Sequence, residues 1–566
     1  MKLKGAQILC ESLIKEGVEV VFGFPGGAVL PLYDTLPQYP QLRHILVRHE
    51  QGAAHAADGY ARVTGKVGVC FATSGPGATN LVTGIANAQL DSVPMVAITG
   101  QVARPFIGKD AFQEIDITGI TVPVTKHNYL VLRAEDLAAI VKEAFHIAST
   151  GRPGPVLIDI PKDVFDELAN FSYPDKVSLP GYEPTTKGHP LQIKKAAKLI
   201  NEAKRPVIIA GRGVIIAKAF DELKELAEKA QMPVINTLLG IGSFPESHVL
   251  SFGMLGMHGM AYANLAIDAA DLIIAIGMRF DDRATSNVAR FATGAQIIHI
   301  DIDPAEIGKN IKITVPIVGD AKNILRAMNK QIEPHNRIDW IRRIEDLRHE
   351  HPSVSIRDTE ALLPQFVIRQ INVATEGKAT IVTGVGQHQM WSAQFYCYDK
   401  PNSLVSSGGL GTMGFELPAG IGAKVGIPDD VVWIIAGDGG FQMTIQELAT
   451  AVQENIGIKI AIMDNGFLGM VRQWQELFYE RRYVATPLAG PDFVKIAEAY
   501  GIPAVRVERK LEVIPAIRQA MDTQGPFLID FRIEPEENVY PMVAPGAAIS
   551  EILELPLDDE IPLASK

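Results

Sequence analysis

Cysteine is scarce in this chain of 566 residues: Cys10, Cys70 and Cys397 stand far apart and are odd in number. They cannot build a disulfide framework or the paired spacing of a zinc site, which points to a reducing compartment. Long apolar runs are also missing. No window of about 18 apolar residues occurs, so a membrane-spanning helix is not expected. The N-terminus enters directly on a helical pattern of Ala6, Leu9, Leu13 and Ile14, without the apolar stretch and cleavage site of a secretory signal. A soluble, cytoplasmic protein is the expectation. Blocks of positive charge are absent as well: 53 Lys and Arg stand against 65 Asp and Glu, and the net charge of −12 is spread along the chain. Nucleic acid and anionic membranes need clustered positive charge, so neither is expected as a partner.

What is present is a regular alternation. Short β-branched runs, at 67–72, 95–99, 156–160, 207–210, 272–276, 297–302, 380–383, 431–435, 459–463 and 527–531, alternate with amphipathic helical stretches. Continuous apolar strands separated by helices imply parallel sheets covered on both faces, hence an α/β fold. Two stretches read as connectors. Residues 170–190 carry four prolines and two glycines, and residues 345–358 are charged and follow a polar helix. Cutting there gives three doubly wound parallel-sheet domains at 1–168, 191–345 and 359–545, with a tail at 546–566. That tail reads as a lid or a loose end. Strict repeats are not apparent. The first and third segments each place a glycine-rich turn near a strand end, where open α/β sheets bind ligands.

The strongest local signal is in the third segment. One strand ends in Gly437-Asp438-Gly439-Gly440, and the next in Asp464-Asn465-Gly466. Consecutive parallel strands bring Asp438 and Asn465 to one rim, where a carboxylate and an amide oxygen are hard ligands suited to Mg²⁺ carrying phosphate oxygens. The glycines admit backbone N–H groups to a diphosphate, and a helix starting near Thr444 would add a positive N-terminus. Each tripeptide taken alone is an ordinary tight turn. A second signal is Glu50, between a strand at 44–47 and a small-residue helix at 53–61. On its own it reads as a carboxylate in the first turn of a helix. A third is the run Gly408-Gly409-Leu410-Gly411-Thr412-Met413-Gly414-Phe415, in which Met413 is either a wedge or core filling.

The paired turns resemble the fingerprint of thiamine-diphosphate enzymes, with Asp464 standing where the first Asn of that pattern would be. The resemblance runs from about residue 4 to 545. Phe22–Ala28, Ala111-Phe112-Gln113-Glu114, Gly256-Met257-His258-Gly259, Arg279-Phe280-Asp281-Asp282-Arg283 and Gly469–Trp474 make it similar to the acetohydroxyacid (acetolactate) synthase family. The resemblance implies that Phe467 offers a third, carbonyl ligand to Mg²⁺ and that Gln387 and His388 receive the diphosphate. It implies further that Met413 bends thiamine diphosphate while Gly411 meets its aminopyrimidine, and that Glu50 protonates that ring at N1′. Glu416 departs from the family pattern, which has glycine there, and reads as a local ion-pairing group.

The implied reaction decarboxylates pyruvate and joins the remaining two carbons to a second pyruvate or 2-oxobutyrate. The acceptor's carboxylate calls for a guanidinium, and the fork of Arg suits it better than Lys. The family assigns this to Arg283, with Trp474 as an apolar wall, Gly27 and Gln113 near the reacting carbon, and Phe112, Met257 and Lys162 along the access channel. From the residues alone, Arg283 reads rather as a surface ion-pair partner of Asp281 or Asp282, and Trp474 as an ordinary core aromatic. The turn Gly211-Arg212-Gly213 and the strand end at Asp301 are weak dinucleotide signals. The resemblance implies FAD held through Arg152, Gly211, Gly213, Met257, His258, Arg279, Asp301 and Asp320. It also implies a homodimer or dimer of dimers with shared sites, and a small regulatory subunit. The alternatives are a thiamine-dependent oxidase or fermentative carboligase, and a non-catalytic nucleotide-binding protein.

Overall fold

The structure is a computed structural model that describes residues 1–555. It contains three six-stranded sheets, and within each every neighbouring pair of strands is parallel. The first sheet is built from Val20–Gly23, Arg43–Leu46, Gly68–Ala72, Met95–Gln101, His127–Leu130 and Pro155–Pro161. The second uses Pro206–Ala210, Val234–Asn236, Ser251–Met254, Leu272–Ile276, Gln296–Asp301 and Val315–Val318. The third uses Thr380–Thr383, Leu404–Ser406, Val432–Gly437, Lys459–Asp464, Ala504–Val507 and Phe527–Arg532.

These strands form where they do because side chains alternate between the two faces and both faces are covered. In the first sheet Val69, Phe71, Val96, Ile98, Val156 and Ile158 pack into one core, while Cys70, Ala72, Met95, Ala97 and Leu157 pack into the opposite one. The third sheet likewise has a core on each face. Counting strands from one to six along the chain, the first and third sheets share the spatial order 2-1-3-4-6-5, and the second has the order 3-2-1-4-5-6. The sequence reading found no repeat. The common topology of the first and third sheets is a repeat carried by backbone arrangement alone.

In an open parallel sheet the ligand crevice lies at the strands' C-terminal ends, where neighbouring strands diverge in their order. Here those points fall between Gly23 and Ala72, between Ala210 and Ile276, and between Thr383 and Gly437.

Two helices made of small residues join the first and third units within the chain. Glu50–Thr64 lies against Glu416–Gly426 so closely that a Cβ on Gly59 would stand 2.1 Å from the Ala419 carbonyl oxygen. A Cβ on Gly422 would stand 1.8 Å from that of Ala56. The small-residue helix therefore has its close-packing neighbour in its own chain. A dimer with shared sites leads one to expect that neighbour in the partner chain; the structure supplies it within the chain, because glycine and alanine on both facing surfaces let the two backbones touch.

The tail is docked rather than loose over its described part. Ile549 is buried in the core of the second unit, Ile552–Leu553 pairs with Met542–Val543, and Arg290 and His351 hold Glu551 and Glu554. Its remainder, 556–566, lies outside the described residues. Among the described residues no helix is long and apolar enough to cross a membrane.

Candidate active site

In the third unit Gly437 and Met463 are register partners on adjacent strands, so Asp438 and Asn465 emerge side by side. A short helix, Asp438–Gln442, follows the first turn directly, and the expected helical stretch starts after Thr444, running as a 3-10 turn over Ile445–Glu447 into the helix Leu448–Gln453. Asp438 is buried and its Oδ2 has no hydrogen-bond partner among the described residues. Burial, and then the Asp464 carboxylate, push its carboxyl up to about 7. Asn465 Oδ1 accepts from the Phe467 amide at 3.1 Å, and its Nδ2 donates to Gln387 Oε1 at 3.3 Å. Asp464, which departs from the fingerprint, is paired with Arg532 at 2.8 Å.

Around this rim glycines let the side chains of His388 and Glu416 lie directly against the backbone. A Cβ on Gly437 would stand 2.9 Å from the His388 ring, and one on Gly384 would stand 2.7 Å from both His388 Nε2 and Glu416 Oε2. His388 opens no further contact: its Nε2 is unpartnered among the described residues, and burial pushes its pKa down to about 3, so the ring is neutral. Gln387 is engaged by protein, donating to Gln473 Oε1 and the Glu537 carbonyl, each at 2.9 Å.

Glu416 forms no ion pair among the described residues, against the sequence reading. It is fully buried in the same rim with neither carboxylate oxygen hydrogen-bonded, and burial pushes its carboxyl up to about 7. An unpaired buried carboxylate is costly, which is why it is held near neutrality. Unsatisfied buried atoms at Asp438, His388 and Glu416, inside glycine walls at a sheet switch point, fit a hydrated cation and a diphosphate.

Beside this rim opens a cavity of about 1550 Å³ reaching across all three units. Gly411 and Met413 line it from the third unit, and a Cβ on Gly439 would stand 3.7 Å from Met413 Cε, so the two regions adjoin. The switch point of the second sheet forms the far end. There Gly213, Met257, His258, Arg279, Asp301 and Asp320 line the cavity, with Arg152 entering from the first unit. Gly211 lies just beneath the lining, where a Cβ would meet the Gly277 carbonyl oxygen at 2.3 Å. Burial pushes the Asp301 carboxyl up to about 7.

Sequence reasoning missed Glu306, Arg212 and Asn323 on this wall. Glu306 holds Arg152 at 2.7 Å, and no local pattern marks it.

On the same cavity Arg283 and Trp474 face each other, the guanidinium 6.0 Å from the indole centroid. Arg283 also reaches Met257 Sδ at 3.5 Å, and its ion pair with Asp282 is a long, exposed 3.8 Å. Such a pair contributes little, which leaves the guanidinium free for another anion. Trp474 is half-buried on the cavity wall and packs edge-on to Phe478 rather than in a core.

The remaining candidates lie elsewhere, in the first unit. Glu50 is buried in the first turn of its helix, which His49 caps. Its Oε2 accepts from Asn80 Nδ2 at 2.9 Å, and a Cβ on Gly77 would lie 3.2 Å from its Oε1. Gln113 adjoins Gly75, whose φ of +58° demands glycine. Gly27 and Lys162 are exposed, and Phe112 is 88% exposed, an extreme value for an aromatic side chain. None of Glu50, Gly27, Gln113, Phe112 and Lys162 lines the cavity, so of the three channel residues only Met257 does. These candidates of the first unit and those on the cavity are thus two separate groups.

Three sequence models of thiamine pyrophosphate enzymes match this chain. The N-terminal TPP binding domain covers residues 3–120, the central domain 193–328 and the C-terminal TPP binding domain 384–531. The chain is 54% identical to an acetolactate synthase of Mycobacterium leprae, over 97% of this chain and 90% of that protein. It is 52% identical to the acetolactate synthase large subunit of Corynebacterium glutamicum, with 97% and 90% covered. It is 49% identical to the acetolactate synthase large subunit of Cyanidium caldarium, with 97% of each covered.

Proposed function

From the premise that the chain belongs to the acetolactate synthase large-subunit family of thiamine pyrophosphate enzymes, we propose the following catalytic reading. The protein is a thiamine-diphosphate-dependent carboligase. It takes pyruvate as donor and a second pyruvate or 2-oxobutyrate as acceptor. The observation that carries the acceptor half is the Arg283–Trp474 pair on the cavity that also holds Met413.

Thiamine diphosphate, when bound, supplies the nucleophilic carbon and electron sink that let a 2-oxo acid lose CO₂. The protein's own part is to bind, orient and exclude water. Asp438, Asn465 and the Phe467 carbonyl hold Mg²⁺, whose charge offsets the buried Asp438 carboxylate. Backbone at 437–440, with His388, would receive the diphosphate, while Gln387, whose amide donors go to Gln473 and Glu537, orients Asn465. Met413 stands over Gly439 as the wedge, with Gly411 beside it. Arg283 binds the acceptor carboxylate as a two-pronged donor, and Trp474 closes over the alkyl end. Glu50 holds the proton exchanged with the cofactor's aminopyrimidine N1′, a role a buried carboxyl with one fixed donor suits.

Because Glu50, Gly27, Gln113, Phe112 and Lys162 lie off the cavity of their own chain, each site is shared. Glu50 of one chain meets the Met413 loop of its partner, and the active unit is at least a homodimer. The 3-2-1-4-5-6 order of the second sheet, with glycines at its switch point, supports FAD in the far end of the cavity. The condensation transfers no net electrons, so the flavin is structural. A small regulatory subunit completes the assembly.

Acetolactate formation from pyruvate, assayed with thiamine diphosphate and Mg²⁺ while flavin absorbance is followed, tests this reading. Colourless CO₂ release without acetolactate would refute the carboligase, and bleaching stoichiometric with turnover would refute the structural flavin. Mixing inactive Glu50→Gln and Asp438→Ala chains tests sharing. Verified mixed dimers that stay inactive would refute it.

A further inference from the structure

The loop that carries Met413 is rich in glycine, and glycine gives up more backbone freedom on ordering than any other residue. Gly408, Gly409, Gly411 and Gly414 all lie within eight residues, and Gly411 and Gly414 have positive φ. Such a loop does not hold a bulky side chain in one place by its own propensity.

Its fixation comes from the first unit of the same chain. Asp91 Oδ2 accepts from the Gly408 amide at 3.0 Å, and Asp91 Oδ1 from the Gly409 amide at 2.7 Å. Asn87 Oδ1 accepts from the Ser407 hydroxyl at 2.6 Å and from the Thr412 hydroxyl at 3.2 Å. Thr412 in turn donates its amide to Ser407 Oγ at 2.9 Å. Two acceptor side chains thus gather donors from both ends of the loop.

They are themselves fixed. Arg62 donates to Asp91 at 2.8 Å, to Asp58, and to the Ser406 carbonyl at 2.9 Å, while Asn87 Nδ2 donates to Asp58 at 3.0 Å. Asp58, Arg62, Asn87 and Asp91 are all buried. In so dry a setting these bonds are strong and expensive to break.

We propose that Asp91 and Asn87 are positioning residues for thiamine diphosphate, holding the 407–413 loop so that Met413 is in place before the cofactor arrives. The inference rests on reading Met413 as the cofactor wedge. It adds that the wedge is set by a clamp from the chain's own first unit, although Glu50 of that unit serves another site. The clamp acts on the end of the site that meets the aminopyrimidine, not on the diphosphate rim at Asp438.

The test uses the full-length protein and two probes, thiamine diphosphate with Mg²⁺ and inorganic diphosphate with Mg²⁺, titrated calorimetrically. Asp91→Asn keeps the side chain's shape and one acceptor oxygen, and Ser407→Ala relaxes the clamp from the loop side. Each is expected to weaken thiamine diphosphate at least tenfold while leaving Mg²⁺-diphosphate affinity within twofold. Their effects should not add to that of Met413→Ala. If Asp91→Asn fails to fold, Ser407→Ala decides the matter alone.

Equal weakening of both probes would mean general loosening and overturn the proposal, as would unchanged affinity for both. Unchanged thiamine diphosphate affinity in Met413→Ala would instead remove the wedge reading beneath it. Weakening by Met413→Ala without weakening by the clamp variants would overturn the clamp alone.

Discussion

Replacing Gly422 by alanine adds one methyl group at the tightest point between the first and third units. The new Cβ would lie 1.8 Å from the Ala56 carbonyl oxygen and 2.6 Å from its carbon. Carbon and carbonyl oxygen approach to about 3.3–3.6 Å in relaxed contacts, so the helices must separate by about 1.5 Å. Neither can yield locally, because the obstacle is helical backbone rather than the end of a flexible side chain. Overpacking of this kind costs about 1–3 kcal/mol. Opening the interface also strips contacts along both helices, since a radial gap of 0.5–1 Å already forfeits about a quarter to a half of each contact's attraction. Alanine is the better helix former by about 1 kcal/mol, which opposes the loss. The net expectation is destabilisation of about 1–3 kcal/mol, the lost contacts roughly offsetting the gain in helix propensity, with weaker thiamine diphosphate binding because the shifted helix follows directly on the Met413 loop. Guanidinium unfolding, or inactivation half-life if unfolding is irreversible, measures the first and calorimetry the second. Gly294→Ala, at a position with open space around its Cβ, is the control. A Gly422→Ala protein as stable as wild type, or more stable as helix propensity alone would have it, refutes the close backbone packing.

Glu50→Gln is nearly isosteric, and its amide oxygen still accepts from Asn80. Stability should change by less than about 1 kcal/mol, whereas turnover of pyruvate falls about 10²–10⁴-fold; full turnover in purified protein would return Glu50 to helix capping. Trp474→Leu should lower the preference for 2-oxobutyrate over pyruvate more than overall rate, within the roughly 1–3 kcal/mol that one methylene allows. Arg283→Lys should impair both acceptors alike, and a competition assay showing the opposite pattern would exchange the two roles. Asp159 is buried and accepts from Thr99 and Gln101, and burial pushes its carboxyl up to about 7. A carboxyl whose folded pKa lies above the unfolded value of about 3.9 leaves the folded protein holding more protons, so this group's contribution to stability falls as pH rises from about 4 to 7. Asp159→Asn should remove that fall, gaining on wild type at pH 8 relative to pH 5; melting curves that shift in parallel would contradict it.

The sequence by itself determined the fold class and eleven of the eighteen strands of the three sheets, because a parallel sheet covered on both faces needs continuous apolar runs such as 272–276; short strands such as Val234–Asn236 and Leu404–Ser406 left too little pattern to read. It also marked the turns after Gly437 and Asp464, since a backbone that must approach an anion closely leaves glycines behind. Local pattern, however, carries no information about groups distant in the chain. That Glu306 holds Arg152, that Glu416 shares a rim with His388, and that Asp91 reaches the Gly408 amide are decided by how three sheets pack. The repeat between the first and third sheets was invisible for a related reason: strand order is set by crossover connections, not by residue identity. The same holds for the separation of Glu50 from Met413. Both were legible as candidates, but only tertiary packing puts one on the cavity and the other off it, because helix Glu50–Thr64 is committed by its glycine and alanine face to lie along 416–426 of its own chain.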